Sequence, residues 1–399
     1  MSLLPVAEAL ARVLAEIPSP AEEVVPITEA AGRVLARDLT ARLTQPPFAA
    51  SAMDGYAVFG NGACAVGDHW RVIGESAAGH GYAGQLGPGE AVRIFTGAPV
   101  PAGSGTVVIQ ENVSRDADTI AATHPTAAGA NIRHAGNDFS EGDVLLARGR
   151  RLDAHTATLA AAMGYGEVPV ARRPVVALLA TGDELVAPGT PPGPSQIVSS
   201  NPVGLAALVT EAGGVARPLG IAPDRLDALT ARIAEARDAD VLVTIGGASV
   251  GDHDLVGRAL QAEGIDLAFW KIALRPGKPL MFGRLGATRV LGLPGNPVSA
   301  LVTARVFLVP LVRALLGETG DARVSETAIL TRPLEANGPR LHLMRATLGR
   351  DDTGALTVTP LNSQDSSLLN ALARADCLIR RTHDAPAAAA GERIEIDRL

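Results

Sequence analysis

Two acidic, glycine-containing segments follow two apolar runs of the sequence, and both have residues suited to binding a phosphorylated ligand. The first is Thr181-Gly182-Asp183-Glu184, and the second is Gly246-Gly247-Ala248-Ser249-Val250-Gly251-Asp252-His253-Asp254. Paired carboxylates supply the oxygen ligands that hard cations such as Mg²⁺ prefer. Adjacent glycines let backbone N–H groups approach an oxyanion closely. The two segments together predict a site for an anion and a divalent cation.

A third segment supplies positive charge. Lys271, Arg275 and Lys278 lie within eight residues of one another, in a stretch that also contains Pro276 and Gly277. Proline and glycine favour a fixed loop, so the three cations could clamp a phosphate or another oxyanion. Alternatively, the three side chains could be solvated cations on the protein surface without a ligand. Cations beside acidic ligands suit a phosphorylated substrate bridged by Mg²⁺.

Asp224, Asn201 and Asn296 have a second interpretation, because Asp and Asn are also preferred at helix N-caps. The sequence favours capping for both asparagines, and each helix N-terminus would still attract an anion. Asp224 could cap a helix or bind a ligand, and both possibilities stay open. His253 is interpreted as a loop histidine, because no second histidine stands at metal-ligand spacing.

Two short motifs suggest other chemistry, but their context argues against it. Residues 79–84 fit the dinucleotide pattern GxGxxG, yet they do not join a strand to a helix. Residues 247–251 fit the hydrolase pattern GxSxG around Ser249, but the next helix starts only after Asp254. The sequence contains no Walker A pattern for a P-loop. A serine hydrolase stays an alternative, with Ser249 as its nucleophile.

The elements that must position these segments alternate in type. Apolar runs at 175–180, 241–245 and 290–293 are typical of buried strands. Helical patterns begin at Asn201, at Asp224 and at Asn296, and the last extends to Leu316. This alternation predicts a doubly wound parallel sheet, in which ligands bind at the carboxyl ends of the strands.

The rest of the chain predicts separate units. Short apolar runs within 51–132 indicate a small β-rich unit, and runs at 345–348 and 356–359 indicate a hairpin. Helices are predicted at 5–16 with Pro5 in its first position, at 28–36, and at 153–163 between an Asp153 N-cap and a Gly164 stop.

Composition excludes several classes of protein. The 399 residues predict two or three domains at roughly 150 residues each, and the hydrophobic fraction of 47% excludes general disorder. A net charge of −7 without basic blocks argues against a nucleic-acid binder. Two distant cysteines argue against disulfides and structural zinc and fit a reducing compartment. With no visible signal peptide, we expect a cytoplasmic protein without membrane partners.

Several long motifs resemble those of the molybdopterin molybdenumtransferase (MoeA) family, to which the C-terminal part of gephyrin is also similar. The resemblance spans the whole chain, about residues 1–399. In chain order, the motifs are SAMDGYA, RIFTGAPVP, NIRHAGNDF, TGDEL, GGASVGDHD, FWKIALRPGKP and GLPGNPVSA.

The resemblance implies an enzyme of molybdenum cofactor biosynthesis. Such an enzyme inserts molybdate into adenylylated molybdopterin and releases AMP in a Mg²⁺-dependent reaction. The resemblance also implies an elongated homodimer whose site lies between subunits, with possible contacts to the molybdopterin adenylyltransferase and to molybdoenzyme maturation proteins. A non-catalytic scaffold, as in gephyrin, is the alternative.

The implied architecture is α/β plus β, with several domains. A discontinuous N-terminal domain would comprise residues 1–45 and 140–170, with an inserted β-rich domain at 46–139. A doubly wound molybdopterin-binding domain would span 171–318, and a β-barrel-like domain 319–399.

Site residues follow by motif. Those implied in catalysis are Asp54, Thr96, Asp138, Glu184, Asp224, Asp254, Lys271 and Arg275, with Glu184, Asp224 and Asp254 as metal ligands. Those implied in substrate binding are Arg133, Thr181, Gly182, Asp183, Ser200, Asn201, Gly246, Gly247, Ser249, Lys278, Pro294, Asn296, Pro297, Arg345, Ser366 and Ser367. Arg345, Ser366 and Ser367 would help to hold molybdate.

Overall fold

A computed structural model of the chain describes residues 3–247, 255–320 and 326–399. Its α-helices are α1 (Val6–Val13), α2 (Ala154–Ala162), α3 (Asn201–Glu211), α4 (Leu226–Ala234), α5 (Leu255–Ala262), α6 (Pro297–Leu315) and α7 (Leu369–Ala373).

The strands fall into three consecutive groups. The first group is β1 (Glu22–Pro26), β2 (Leu39–Thr40), β3 (Ala50–Ser51), β4 (Gly55–Phe59), β5 (His69–Ser76), β6 (Glu90–Ile94), β7 (Ser104–Ile109), β8 (Val113–Asp116), β9 (Thr119–Ala122), β10 (Ile132–Arg133), β11 (Val144–Leu146) and β12 (Glu167–Ala171). The second is β13 (Val175–Thr181), β14 (Leu185–Val186), β15 (Ile197–Val198), β16 (Val215–Ala222), β17 (Val241–Ile245), β18 (Asp266–Trp270), β19 (Leu274–Arg275), β20 (Met281–Leu285) and β21 (Thr288–Leu293). The third is β22 (Glu326–Leu330), β23 (Leu341–Arg350), β24 (Leu356–Pro360), β25 (Cys377–Arg381) and β26 (Arg393–Arg398).

A six-stranded sheet in the order β16-β13-β17-β21-β20-β18 forms the centre of the molecule. The first four strands run parallel, as predicted, and β20 and β18 add an antiparallel edge. Strand β13 leads through α3 to β16 on one side, whereas β17 lies on its other side. The chain therefore changes winding direction at β13, where a crevice opens beyond the carboxyl ends of the strands.

Both faces of this sheet are covered by helices. Leu205 of α3 and Phe307 of α6 pack with Leu178 of β13 on one face, whereas Leu229 of α4 and Leu260 of α5 pack on the other. Because the sheet is buried on both sides, β17 is buried at every position and apolar at all of them except Thr244. Helix α6 is long and apolar enough to cross a membrane, but 67% of its most apolar window is buried in this core.

Two β units flank the centre. In the N-terminal half, β7-β4-β6-β5-β9-β8 form one sheet. In the C-terminal region, β23-β24-β22-β26-β25 close into a five-stranded barrel through pairing of β25 with β23, and β19 joins its edge. Strands β1 and β2 pair with β12 and β11, which lie more than a hundred residues later in the chain. The β-rich sheet is thus inserted between two paired segments.

Several sequence predictions differ from the structure. The helix predicted at 28–36 is only a 3₁₀ turn at Ile27–Glu29, because the chain turns at Gly32 with φ +79°. Asp153 caps α2 as predicted and forms a capping box with Thr156. Helix α4 begins at Leu226, so Asp224 is not its cap. Helix α3 begins at Asn201 itself, after Ser200.

Candidate functional site

A pocket of about 810 Å³ lies at the carboxyl ends of β13, β17 and β21. It is lined by the residues that follow these strands, by the N-termini of α3 and α6, and by the loop that contains Lys271 and Lys278. Carboxylates and ammonium groups therefore share one cavity, as expected for a doubly wound sheet.

The acidic side of the pocket is formed by Glu184 and Asp224. Gly182 has φ +145°, and a Cβ added there would lie 2.3 Å from a Glu184 carboxylate oxygen. A glycine is therefore required for the turn that places this carboxylate. The third carboxylate, Asp183, accepts a hydrogen bond of 3.0 Å from the backbone N–H of Asp224 and joins the two acidic loops.

These carboxylates influence one another. Asp224 is exposed at the rim, but surrounding atoms partly desolvate it, and this raises the pKa of its carboxyl. The negative charges of Asp183 and Glu184 raise this pKa further. The site therefore has acidic charge that a cation would neutralise.

The basic side of the pocket is formed by Lys271 and Lys278. The loop that contains them is closed by two backbone hydrogen bonds of 3.0 Å, from Lys271 N–H to Leu280 and from Ile272 N–H to Lys278. Lys271 itself has φ +85°, a left-handed conformation that is unusual for a residue with a side chain. Within the described ranges, neither lysine has a carboxylate partner, so both are available to an anionic ligand.

The helix N-termini are joined at the pocket by side-chain amides. Asn201 Nδ2 donates to the Gly295 carbonyl at 2.7 Å, and Asn296 Nδ2 donates to Ser366 Oγ at 3.0 Å. Asn296 occupies the N-cap position of α6 as predicted, but its side chain makes no capping hydrogen bond. The capping prediction is wrong for Asn201, because Ser200 is the N-cap of α3. Pro297 is at the N-terminus of α6. The N-termini of α3 and α6, with the positive ends of their dipoles, therefore lie at the pocket.

Arg345 supports the loop that brings Ser366 and Ser367 to the site. Its side chain is 1% exposed and donates to the Asp365 and Ser363 carbonyls, at 2.9 Å and 3.3 Å. Of the two serines, Ser367 lines the pocket, and Ser366 contacts Asn296. Arg345 thus fixes the loop from beneath and does not face the pocket.

Asp54, Thr96 and Asp138 lie in loops of the β-rich region, and Arg133 lies on the short strand β10. The side chain of Asp54 accepts hydrogen bonds of 2.8 Å from the N–H and the hydroxyl of Thr96, which lower the pKa of its carboxyl. Arg133 is exposed on β10, and Asp138 is also exposed. These four residues do not line the pocket of their own chain.

Most of the remaining predicted residues meet in the pocket, but not all. The lining contains Thr181, Gly182, Glu184, Ser200, Asn201, Asp224, Gly246, Gly247, Lys271, Lys278, Pro294, Asn296, Pro297 and Ser367. Arg275 is exposed on β19 and lies outside the lining, as does Asp183. Ser249, His253 and Asp254 lie outside the described residues, so the structure gives no account of them.

Sequence reasoning missed part of the lining. Leu185, Ile197 and Val198 belong to the short paired strands β14 and β15, which cover one side of the pocket. These strands have two residues each and were not recognisable as strands. Ser199 and Gly295 were recognisable only from their position beside a helix N-terminus at the ligand edge.

The sequence matches three family profiles. They are "MoeA N-terminal region (domain I and II)" at residues 4–164, "Probable molybdopterin binding domain" at 177–314, and "MoeA C-terminal region (domain IV)" at 327–399. The pocket is built largely from the second of these regions, and Ser367 comes from the third.

Named relatives are similar along nearly the full chain. The molybdopterin molybdenumtransferase of Haemophilus influenzae is 35% identical, over 99% of this chain and 98% of its own. Molybdopterin molybdenumtransferase 2 of Mycobacterium tuberculosis is 37% identical, over 93% of this chain and 94% of its own. A crystal structure of the molybdopterin biosynthesis MoeA protein from Pyrococcus horikoshii superimposes with a TM-score of 0.84 at 30% identity, covering 100% and 99% of the two chains.

Proposed function

Since the chain belongs to the molybdopterin molybdenumtransferase (MoeA) family, and is therefore a transferase of molybdenum cofactor biosynthesis, we propose that its substrates are adenylylated molybdopterin and molybdate. In this reaction molybdate enters the dithiolene of the pterin and AMP is released. The observation that carries the proposal is the pocket in which Glu184 and Asp224 face Lys271 and Lys278.

The charge distribution of the pocket suits these reactants. Molybdate is a dianion and an adenylylated pterin contains a pyrophosphate, so the reactants repel each other. Lys271 and Lys278, together with the N-termini of α3 and α6, are fixed positive groups that offset this repulsion. Holding both reactants in one cavity also reduces the entropic part of the barrier.

The acidic side has donors suited to Mg²⁺. Mg²⁺ in proteins is commonly bound through one or two carboxylates together with substrate phosphates and water. Glu184 and Asp224 supply two such carboxylates, and the pKa of Asp224 is raised by desolvation and further by the charges of Asp183 and Glu184. Among the described residues, no set of three acidic, histidine or cysteine side chains could hold a metal alone. A bound Mg²⁺ would polarise a phosphoryl oxygen.

The other proposed roles depend on the loops. Thr181, Gly246 and Gly247 line the pocket, and the two glycines let the pterin or its phosphates approach the backbone closely. Ser366 and Ser367 would orient molybdate, with Arg345 holding their loop. Arg275 lies outside the lining, and its proposed contact with an oxyanion requires a ligand that extends beyond the pocket.

We place Asp54, Thr96, Arg133 and Asp138 at the site of a second subunit. The support is that these residues do not line the pocket of their own chain, although they lie in motifs that the family resemblance singles out. A homodimer with each site between subunits would give them a function. We also propose that this enzyme works in the cytoplasm, as its two free, buried cysteines suggest.

The decisive experiment is a product assay. Purified enzyme with adenylylated molybdopterin, Mg²⁺ and molybdate should release AMP in proportion to the active cofactor formed. Glu184→Gln should lose most of this activity, on the order of a hundredfold, because the substitution removes a proposed metal ligand. The variant should still fold, because the Glu184 side chain is exposed.

The matched control is Glu167→Gln, which changes another exposed carboxylate outside the pocket lining and should keep full activity. Absence of AMP release at every molybdate concentration would refute the proposal. Full activity of Glu184→Gln would remove this residue from the site.

A further inference from the structure

A second cavity, of about 610 Å³, lies in the barrel domain beside the loop at 361–368. Its polar side chains include Arg332, Arg374, Asn362 and Asn370, and its apolar side chains include Leu361 and Leu368. It does not share a lining residue with the main pocket. The two cavities are nevertheless adjacent, because Ser367 of the same loop lines the main pocket.

The charge of this cavity is positive. Arg332 Nη1 donates to Asn362 Oδ1 at 2.7 Å, and Arg332 Nη2 donates to the Pro360 carbonyl. These bonds fix the guanidinium and leave its other N–H groups available. In the part of the chain that the structure describes, Arg374 has no ion pair, and no Asp or Glu lines the cavity. Two arginines without a counter-charge in a concave site favour an anion.

The wall of the cavity is held in place from within the barrel. Gln364 donates to the Leu361 carbonyl at 3.1 Å and to the Arg345 carbonyl at 3.0 Å. Arg345 in turn donates to the Leu368 carbonyl at 3.4 Å and to the Asp365 carbonyl. A ligand that binds here therefore meets a largely preorganised surface, which lowers the entropic cost of binding.

We propose that this cavity binds a small organic phosphate of about nucleotide size. Arg332 and Arg374 contact the phosphate, and Asn362 and Asn370 donate further hydrogen bonds. The organic part packs against Leu361 and Leu368. The volume lies in the range of roughly 300–1,000 Å³ typical of small-molecule sites and exceeds what a bare tetrahedral oxyanion fills.

The test uses AMP as the probe and the full-length variant Lys271→Ala/Lys278→Ala, in which the main pocket has lost its lysines. Calorimetry measures AMP binding, and hydrogen–deuterium exchange locates it. We expect AMP to bind and to slow exchange in residues 356–374. Adding Arg374→Gln should weaken binding about tenfold or more, the equivalent of one lost charged hydrogen bond. The Arg374 side chain has no hydrogen-bond or ion-pair partner within the described residues, so this change should not disturb folding.

Arg393→Gln is the matched control, because it removes an exposed arginine of the same domain outside the cavity. It should bind AMP as tightly as its parent. Inorganic phosphate is the second probe, and it should bind much more weakly than AMP. The proposal is overturned if AMP does not bind, if Arg374→Gln leaves its affinity unchanged, or if inorganic phosphate binds equally well.

Discussion

At the scale of single residues, the acidic side of the pocket contains a carboxylate that lowers the stability of the folded protein. Asp224 is partly desolvated beside Asp183 and Glu184, and the result is a raised carboxyl pKa. A raised pKa in the folded state means that ionised Asp224 destabilises the fold at neutral pH. Such a conflict is typical of residues retained for binding rather than for stability.

We therefore predict that Asp224→Asn raises the thermal midpoint at pH 7, on the order of 1–2 °C. The gain should shrink as the pH falls through the raised folded pKa, and vanish below the ordinary value of 3.8, where Asp224 is protonated in both states. Thermal unfolding between pH 3.5 and 7.5 measures it. Mg²⁺ should stabilise the parent and not the variant.

Asp227→Asn is the control for this prediction. Asp227 pairs with Arg225, and this pairing lowers the pKa of its carboxyl, so its removal should leave the midpoint unchanged or slightly lower. An equal rise in both variants would show that the Asp224 effect is unrelated to the carboxylate cluster.

Lys271 combines charge with an unusual backbone. Its φ of +85° disfavours any residue with a Cβ, typically by about 1–2 kcal/mol. We expect Lys271→Ala and Lys271→Gly both to lose most activity. The glycine variant should nevertheless be more stable to urea, by up to about 1 kcal/mol after allowance for glycine's unfolded-state entropy. If the alanine variant were the more stable, the left-handed conformation at this position would be wrong.

At the scale of elements, strand β23 contains two buried basic side chains with different functions. Arg345 is hydrogen-bonded to the loop that contains Ser366 and Ser367. His342 is 7% exposed and lies near four arginines, which are Arg275, Arg340, Arg345 and Arg381. Burial, and then the nearby positive charges, lower the pKa of His342 to about 4. At neutral pH the imidazole is therefore uncharged.

This shift predicts a pH dependence of folding. A lowered folded pKa means that the unfolded chain binds a proton first, so stability should fall as the pH drops from about 6.5 to about 4. His342→Gln should lack this component, and the difference between the two slopes should total a few kcal/mol. Urea unfolding across this range measures it. His383→Gln, an exposed histidine of the same domain, should behave like the parent.

The sequence predicts a strand correctly where both faces of the strand are buried, and a helix start correctly where the capping residue is a neighbour in the chain. The run at 241–245 coincides with β17 because that strand is buried on both faces, and Asp153 caps α2 through its own capping box. Asn201 is not the cap of α3, and Asn296 is at the N-cap position of α6 without a capping bond, because their side-chain amides donate to Gly295 and Ser366. Tertiary hydrogen bonds of this kind have no local signal.

At the scale of the whole molecule, only some of the predicted motif residues lie together in the pocket. The sheet edge brings together the residues after β13, β17 and β21, as parallel topology requires. Asp54 and Thr96 lie in loops beside β4 and β6 of the inserted β-rich sheet, which no periodicity could place relative to the pocket. Arg345 was expected at molybdate, but burial among main-chain carbonyls makes it a support for the loop.

The proposed homodimer, with each site between subunits, makes a quantitative prediction about mixed dimers. Asp54→Asn and Glu184→Gln should each be inactive alone. If each site takes Asp54 from one subunit and Glu184 from the other, a heterodimer of the two variants has one site with both changes and one intact site. Co-expression with two different tags and tandem purification should therefore give about half of the parent's AMP release per dimer.

The matched control combines two residues that line the same pocket, Glu184 and Lys271. A heterodimer of Glu184→Gln with Lys271→Ala has one defect in each site and should stay inactive. Recovery in the first pair without recovery in the second can arise only if the β-rich sheet of one chain completes the pocket of the other. Inactivity of both pairs would mean that the subunits do not share a site, and Asp54 would then need a function within its own chain.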